Sequence, residues 1–396
     1  MFEGALSLLS QLLHWLLVAE HELLLFAAFW FVVSAVDEAA VDISWLWLRL
    51  NGHGDAGKVP QGLADSPLLG PAAIFVPAWR EDDVIGAMVA HTLQAWKQRD
   101  FTLYIGCYRN DPATVAAASA SAGGDPRVRI VVTGRDGPTT KADCLNRLYA
   151  ALRADEARRG VMFRHVILHD SEDMVHPAAL AVMDRALAEV DFVQLPVRPE
   201  PQPKSRWIAG HYSDEFTEAH AKTLVVRDAL GAAIPAAGVG CGFSREALAH
   251  LASLRMATGE SGPFASDCLT EDYELGLLIS RNGGRSRFLR MRDGDGHLVA
   301  TRSYFPATLE TAVRQKGRWI HGIALQGWER LGWKGRPVDI WMALRDRRGP
   351  LTAIVLAAAY LLVVVEGILG LARLAGWQDW VSPSPLLRFM ILASFV

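Results

Sequence analysis

Cysteine is scarce and scattered: Cys107, Cys144, Cys241 and Cys268 are the four in 396 residues. No CxxC spacing joins them, which argues against a zinc site or a redox pair, so they are expected as small buried side chains in a reducing compartment. Charge of either sign is not in surplus. Forty Lys and Arg face 43 Asp and Glu, a net charge of −3 that gives no reason to expect a nucleic-acid partner. No basic n-region or small-residue cleavage site marks a secretory signal. A Walker sequence, internal repeats and low-complexity tracts are also missing. What is plentiful is apolar surface: 51% of residues are apolar, and the mean hydropathy is +0.15. That is too high for an ordinary soluble protein and too low for a chain made only of spans.

The apolar residues concentrate at the two ends. Leu23–Val36 is only 14 residues long, short of the roughly 20 that cross a bilayer, so a span near 12–36 has to include Leu12–Val18 as well. This sets aside 1–36 as an N-terminal transmembrane region. Asp37–Leu50 mixes acids with Trp45 and Trp47 and reads as a membrane-surface helix. Residues 51–70, rich in Gly, Pro and Asp, form a linker, so 37–70 is an interfacial helix plus linker. From 71 to 300, short apolar strands alternate with helical patterns. Strands are expected at Ala72–Pro77, Phe101–Cys107, Val128–Thr133, Phe163–His169 and Asp191–Pro196. Helices are expected at Asp82–Arg99, Pro112–Ala122, Lys141–Arg159, Ala209–Leu230 and Tyr273–Arg281, and Pro235–Arg245 reads as a Gly-rich turn into a further helix. The fold class is therefore α/β with a doubly wound, mostly parallel sheet, whose ligands collect at the carboxyl ends of the strands.

Residues 301–349 form a basic amphipathic interfacial region, carried by a helix over Ala307–Arg330 that suits an anionic leaflet. Pro350–Ala372 is a strong span, with Glu366 within reach of the outer interface. Leu386–Val396 begins another, so 350–396 is expected to continue into a longer natural chain. Arg49, Lys58, Arg345, Arg347 and Arg348 flank the spans and place 40–349 in the cytoplasm, with the N-terminus and the 373–385 turn outside.

Four polar motifs carry the chemistry. Asp170 and Glu172 follow a hydrophobic strand in His169–Pro177 (HDSEDMVHP), where carboxylates two apart can hold Mg2+ or Mn2+ against a diphosphate. Alone, the same acids could simply favour a helix N-terminus near Pro177. His169 and His176 flank them, with solvated or capping roles expected. Asp272, beside Glu271 in Thr270–Asp272 (TED), is the candidate general base at a helix start. Gln315, Arg318 and Trp319 (QKGRW) share one helix face, an Arg to fork onto a diphosphate and a Trp to stack on a sugar. Lys141 in KADCLN is a candidate phosphate or nucleotide contact. Pro77 and Glu81 (PAWRE) end the first strand, where a base would lie.

In this order and between spans, PAWRE, KADCLN, HDSEDMVHP, FVQLP, GVGCGFSR, TED and QKGRW resemble the membrane-embedded processive family-two glycosyltransferases of the cellulose-synthase type. GCYRNDPAT and HDSEDMVHP look most similar to the bacterial phage-adsorption-protein-B branch. The resemblance implies a GT-A fold, a UDP-sugar donor, a divalent metal and inversion at the anomeric carbon. It implies Asp170 and Glu172 at the metal and diphosphate and Asp272 as base. Gln315, Arg318 and Trp319 would serve the diphosphate and the acceptor end. Gly240, Cys241, Gly242 and Phe243 would lie at the acceptor. The family's Asp-Asp-Gly turn is replaced here by Gly106–Asp111, where Tyr108 is left to stack on a base and Asp111 to hydrogen-bond it.

The function expected is an inner-membrane transferase extending a surface exopolysaccharide from a UDP-N-acetylhexosamine. Its expected partners are the donor, the polysaccharide acceptor, the bilayer and an outer-membrane export protein. Cyclic-di-GMP would act only through a C-terminal domain that the chain does not contain. The alternatives are transfer of one sugar to a polyprenyl-phosphate lipid, or a non-catalytic glycan-export or phage-receptor protein.

Overall fold

Strands that are apolar on both faces require cover on both faces, and segments of this kind form the middle of the seven-stranded central sheet of this protein. The computed structural model describes residues 2–257, 259–378 and 382–394. The strands are β1 (Ala72–Pro77), β2 (Phe101–Tyr108), β3 (Val128–Thr133), β4 (His165–Leu168), β5 (Phe192–Gln194), β6 (Cys241–Ser244) and β7 (Ser286–Phe288). Their order is β3-β2-β1-β4-β6-β5-β7. All neighbours are parallel except β6, which runs against both β4 and β5. Alternate residues of one strand feed opposite cores. Ile74 and Val76 join Ile85, Met88 and Val89 on one side, and Ala73 and Phe75 join Leu145, Leu148 and Leu152 on the other. The helices behind these contacts are Ile85–Ala95 and Lys141–Arg159. Thr140 caps the second, its hydroxyl accepting the Asp143 N–H.

The order reverses direction at β1. The chain winds outward from β1 through β2 to β3, then returns to lay β4 on the other side of β1. The carboxyl ends of β1 and β4 flank that switch point, where open α/β sheets bind ligands. Pro77–Glu81 and His169–Asp173 follow those two ends.

The expected strands and helices at 72–77, 128–133, 112–122 and 141–159 have these bounds in the structure. The Gly-rich segment 235–245 departs from expectation, because Cys241–Ser244 is a buried strand in the middle of the sheet. A Cβ at Gly242 would come within 2.9 Å of Leu187 Cδ1, so a larger residue there would have to displace that side chain. Asp191–Pro196 shortens to β5, and Val197–Pro199 pairs instead with Thr301–Ser303 in a separate two-stranded sheet. The long helices expected at 209–230 and 307–330 each contain a π-helical turn, at Ala219–Thr223 and His321–Gln326.

The chain divides into two compact units, 47–345 and 1–46 with 346–396. In the second, Asp37 marks no break: Phe2–Leu50 is one helix, so Asp37–Leu50 is not a separate surface helix. The segment Leu8–Leu50 and the helix Gly349–Leu374 are long and apolar enough to cross a membrane. Leu13 and Leu17 pack on Val365 and Leu369, and Arg348 pairs with Asp37 (3.0 Å) and Glu38 (2.5 Å). Of the turn read at 373–385, residues 379–381 lie outside the described residues, as do the last two residues of Leu386–Val396.

Candidate active site

Four polar motifs far apart in sequence line one cleft: Lys141, Asp170, Glu172, Glu271, Asp272, Gln315, Arg318 and Trp319 all face it. Most are delivered by the end of an element. Asp170 and Glu172 lie on the turn after β4. Lys141 opens the helix Lys141–Arg159, and Glu271 and Asp272 open the helix Glu271–Arg281. Gln315, Arg318 and Trp319 come from the helix Leu309–Ile320, whose Thr308 cap accepts the Thr311 N–H.

The turn after β4 is held from behind. Asp173, fully buried, accepts the Asp170 N–H (3.0 Å) and bonds His169 Nδ1 (2.9 Å) through one carboxylate oxygen. His169 is therefore an interior orienting group rather than a solvated one. Lys141 Nζ donates to Asp170 Oδ1 at 2.5 Å and lies 3.4 Å from the Gly238 carbonyl. Asp272 Oδ1 accepts the Tyr273 N–H at 2.8 Å. Its other oxygen fills the space beside Gly238, where a Cβ would come within 2.2 Å; with φ at +76° as well, only glycine serves at 238.

Negative charge dominates. Four carboxylates, Asp170, Glu172, Glu271 and Asp272, face two cations, Lys141 and Arg318. Burial, then Asp170 and Asp173, push Glu172 up to about 7. Burial also raises the Asp272 carboxyl, against the pull of Lys141. Burial works against the Lys141 ammonium, yet Asp170, Glu271 and Asp272 outweigh it and hold the charge on. Crowded, partly protonated carboxylates are what a divalent cation would relieve, and Asp170 and Glu172 offer the hard oxygen ligands Mg2+ and Mn2+ take. Trp319 stands edge-on to Tyr212 (6.1 Å), in an aromatic wall with Phe216 and Phe305.

Several expected residues are placed elsewhere. Asp111 is an N-cap, one oxygen accepting the Thr114 N–H and the other the Arg80 N–H at 2.6 Å, so both are committed. Tyr108 is 3% exposed, its hydroxyl on Thr139 (2.6 Å) and its ring edge-on to Trp79 (5.0 Å), which leaves no free face for a base. Pro77 ends β1 outside the cleft lining. Glu81 lies near Ser171 and Asp170, and burial first, then Asp170, raises its carboxyl. Cys241, Gly242 and Phe243 are sheet interior, with Phe243 stacked on Phe192 at 4.9 Å. Gly240 is buried against Thr301. The cleft is lined instead by Ala237 and Val239, just before them.

Sequence reasoning missed Tyr304 and Phe305 at the cleft, and Trp79 at the end of β1. Trp79 had a signal, an aromatic two residues past a buried strand. A second acidic cluster, Asp293, Asp295 and His297, brings its ligating atoms within 4.8 Å of one another. Asp293 Oδ1 already accepts the N–H groups of Asp295 and His297, so this is a turn-forming carboxylate. Asp293 also bonds His176 (3.2 Å).

The family described as glycosyltransferase like family 2 matches residues 70–322. Bacteriophage adsorption protein B of Escherichia coli strain K12 is 33% identical over 368 residues, covering 88% of this chain and 49% of that protein. Bacteriophage N4 adsorption protein B of Escherichia coli O157:H7 matches with the same identity and coverage. The chain thus spans about half the length of the curated relatives it matches. Among solved structures, a mannosyltransferase from Pyrobaculum calidifontis in complex with GDP-Man and Mn2+ shares the fold. Its TM-score is 0.51 at 16% identity, over 92% of this chain and 97% of that one.

Proposed function

The chain belongs to glycosyltransferase-like family 2, and from that premise we propose that it transfers a sugar from a nucleotide diphosphate to a growing surface polysaccharide, with inversion. The observation that carries this is the convergence of Asp272, Lys141, Arg318 and the Asp170–Glu172 pair on one cleft at the sheet's switch point. Asp272 takes the proton of the acceptor hydroxyl as that oxygen attacks the anomeric carbon. Its raised carboxyl pKa makes it a better base than a solvated carboxylate. The bond to the diphosphate oxygen breaks on the opposite face. Lys141 and Arg318 supply fixed positive charge for the leaving diphosphate. Asp170 and Glu172 would hold Mg2+ or Mn2+, which when bound neutralises charge on the diphosphate. Trp319 offers a ring edge and partial face for the acceptor sugar.

The donor in this reading is a UDP-N-acetylhexosamine, and the acceptor a polysaccharide that leaves through the bacterial inner membrane toward an outer-membrane partner. Two helices apolar enough to cross a bilayer support the membrane location. The test is UDP release from a panel of UDP-sugars with Mg2+ or Mn2+, by the protein in nanodiscs, beside Asp272→Asn. Metal-dependent release with one sugar is expected, falling about 10²- to 10⁴-fold in the variant with donor binding retained. Absence of turnover with every donor, or equal turnover in Asp272→Asn, would sink the reading.

A further inference from the structure

The helical run that carries Gln315, Arg318 and Trp319 continues past the cleft. Leu309–Ile320 leads through the π-helical turn His321–Gln326 into Gly327–Leu331, and this far end is fastened to the segment that carries Asp272. Arg330 donates Nε to Glu274 Oε2 at 2.5 Å, one terminal nitrogen to Glu274 Oε1 at 3.1 Å and the other to Asp267 at 2.6 Å. Glu274 stands two residues past Asp272 on the helix Glu271–Arg281. Gln326 accepts the Leu269 N–H at 2.9 Å, and Gly322 lies so close to Thr270 that a Cβ would come within 2.5 Å of its hydroxyl oxygen.

Glu274 is 4% exposed and also accepts from Arg255, on the helix Arg245–Met256, at 2.6 Å. Burial works against its charge, yet Arg330 and Arg255 hold its carboxyl below the ordinary range. Neither Glu274 nor Arg330 lines the cleft. The π-helical turn lets one helical run serve both places. An α-helix turns about 100° per residue, so the twelve positions from Arg318 to Arg330 would leave the two side chains about 120° apart. A π-helical turn takes up one extra residue, which reduces that angle to about 20°. Arg318 thus reaches the cleft, and Arg330 reaches Glu274, from nearly the same side of the run.

We propose that Arg330 and Glu274 are positioning residues for sugar transfer. They act through the two helices they join and hold Asp272 at a fixed place opposite Arg318, a role that rests on the transferase reading above. Transfer needs the acceptor oxygen at Asp272 and the diphosphate at Arg318 in line across the anomeric carbon. A misplacement of about 1 Å there costs on the order of a hundredfold in rate. Donor binding draws also on Lys141, Asp170 and Glu172. The turn after β4 and the helix Lys141–Arg159 hold those three without the link. Loss of the link therefore acts on the transfer step more than on donor binding.

The test is Arg330→Met in the full chain in nanodiscs, beside Glu274→Gln. Both variants leave the neighbouring charges paired. Arg255 still faces Glu274 in the first, and in the second Arg330 keeps Asp267 and Arg255 keeps Glu260 (2.8 Å). UDP release with the donor that the unmodified protein turns over is expected to lose roughly ten- to a hundredfold in kcat, with the donor KM moved by less than about threefold. A second readout needs no turnover. Cys268, 5% exposed, lies between Asp267 and Thr270 beside the link, whereas Cys107, Cys144 and Cys241 belong to the sheet and the helix Lys141–Arg159. N-ethylmaleimide is expected to reach Cys268 alone roughly tenfold faster in either variant, mapped by peptide mass spectrometry. General loosening of the fold would speed all four cysteines together, and that outcome overturns the proposal, as does an unmoved kcat. No turnover by the unmodified protein with any UDP-sugar sinks the transferase reading instead. Cys268 then still tests the link, and an unchanged labelling rate in both variants overturns it.

Discussion

Glu271 sits one residue before Asp272 and is 6% exposed; burial and then that neighbour's charge lift its carboxyl from 4.5 to about 8. The unfolded chain gives up this proton near 4.5 and the folded chain near 8. Between those values the folded state binds more protons, so the group's contribution to stability is intact below about 4.5 and is lost as pH rises toward 8. Glu172, raised to about 7, acts with the same sign. The metal-free protein is therefore expected to melt at lower temperature at pH 8 than at pH 5. Glu271→Gln reduces the stability difference between the two pH values by on the order of 1 kcal/mol or more. Melting curves across pH check this, and an unchanged slope in the variant removes Glu271 as its source. Residues of this kind were legible in the sequence because their chemistry needs fixed residue types at element ends. Asp170, Lys141, Asp272 and Arg318 are all so placed. Asp111 shows the limit of that logic. It has the right type at a strand end, but its oxygens are spent on the Thr114 and Arg80 N–H groups. Sequence cannot distinguish a carboxylate that waits for a ligand from one that caps a helix. Asp111→Ala is accordingly expected to cost about 1–2 kcal/mol of stability in a denaturant melt. A loss of nucleotide affinity at unchanged stability would restore its place at the donor.

The helices Lys141–Arg159 and Arg245–Met256 are joined by a buried pair. Arg245 donates Nε and one terminal nitrogen to the two Glu156 oxygens at 2.9 and 2.8 Å, and its remaining nitrogen to the Tyr149 hydroxyl at 2.9 Å. Glu156 also accepts the Phe163 N–H that leads into β4. Removing one partner leaves the other charge buried and unpaired, so Arg245→Ala is expected to destabilise by about 3–5 kcal/mol. Replacing both by apolar residues of similar volume should recover most of that. Urea unfolding followed by tryptophan fluorescence reads both, and a double variant no better than the single one would deny that the unpaired charge is the cause. The family resemblance implies that Gly240, Cys241, Gly242 and Phe243, just before Arg245, lie at the acceptor. The strand that carries it inward, β6, was invisible for a physical reason. It is four residues long, contains glycine, and runs antiparallel inside an otherwise parallel sheet. Its place depends on Leu187, Ile167 and Met183 closing over Gly242, contacts that no local pattern encodes. Strands β1 to β4 were legible because each is a short apolar run followed by turn chemistry.

At the scale of the whole chain, the helix Phe2–Leu50 is 49 residues, about 73 Å at 1.5 Å per residue, more than twice the roughly 30 Å of bilayer hydrocarbon. Composition alone leaves the crossing segment ambiguous, since Glu20 and Glu22 interrupt the apolar run. The pairing with the helix Gly349–Leu374 favours one stretch for the proposed crossing. Leu13 and Leu17 meet Val365 and Leu369, and Asp37 and Glu38 meet Arg348, so the two helices run antiparallel over 13–38 and 348–369. That stretch of about 25 residues is long enough to cross a bilayer with modest tilt, and Glu366 inside it pairs with Arg373 just beyond it at 3.3 Å. One end of the pair carries Arg347 and Arg348, and under the membrane reading proposed above the positive-inside rule directs this end to the cytoplasm. The four cysteines are buried, so a membrane-impermeant maleimide should report single introduced cysteines over a low background. Gln378→Cys, exposed just past the second helix, is expected to label in intact spheroplasts. Gln61→Cys, exposed beyond the Arg49 end, is expected to label only after permeabilisation. The reverse pattern would put the carboxylate cleft on the side that lacks nucleotide sugars, and labelling of both in intact spheroplasts would mean the pair does not cross the bilayer.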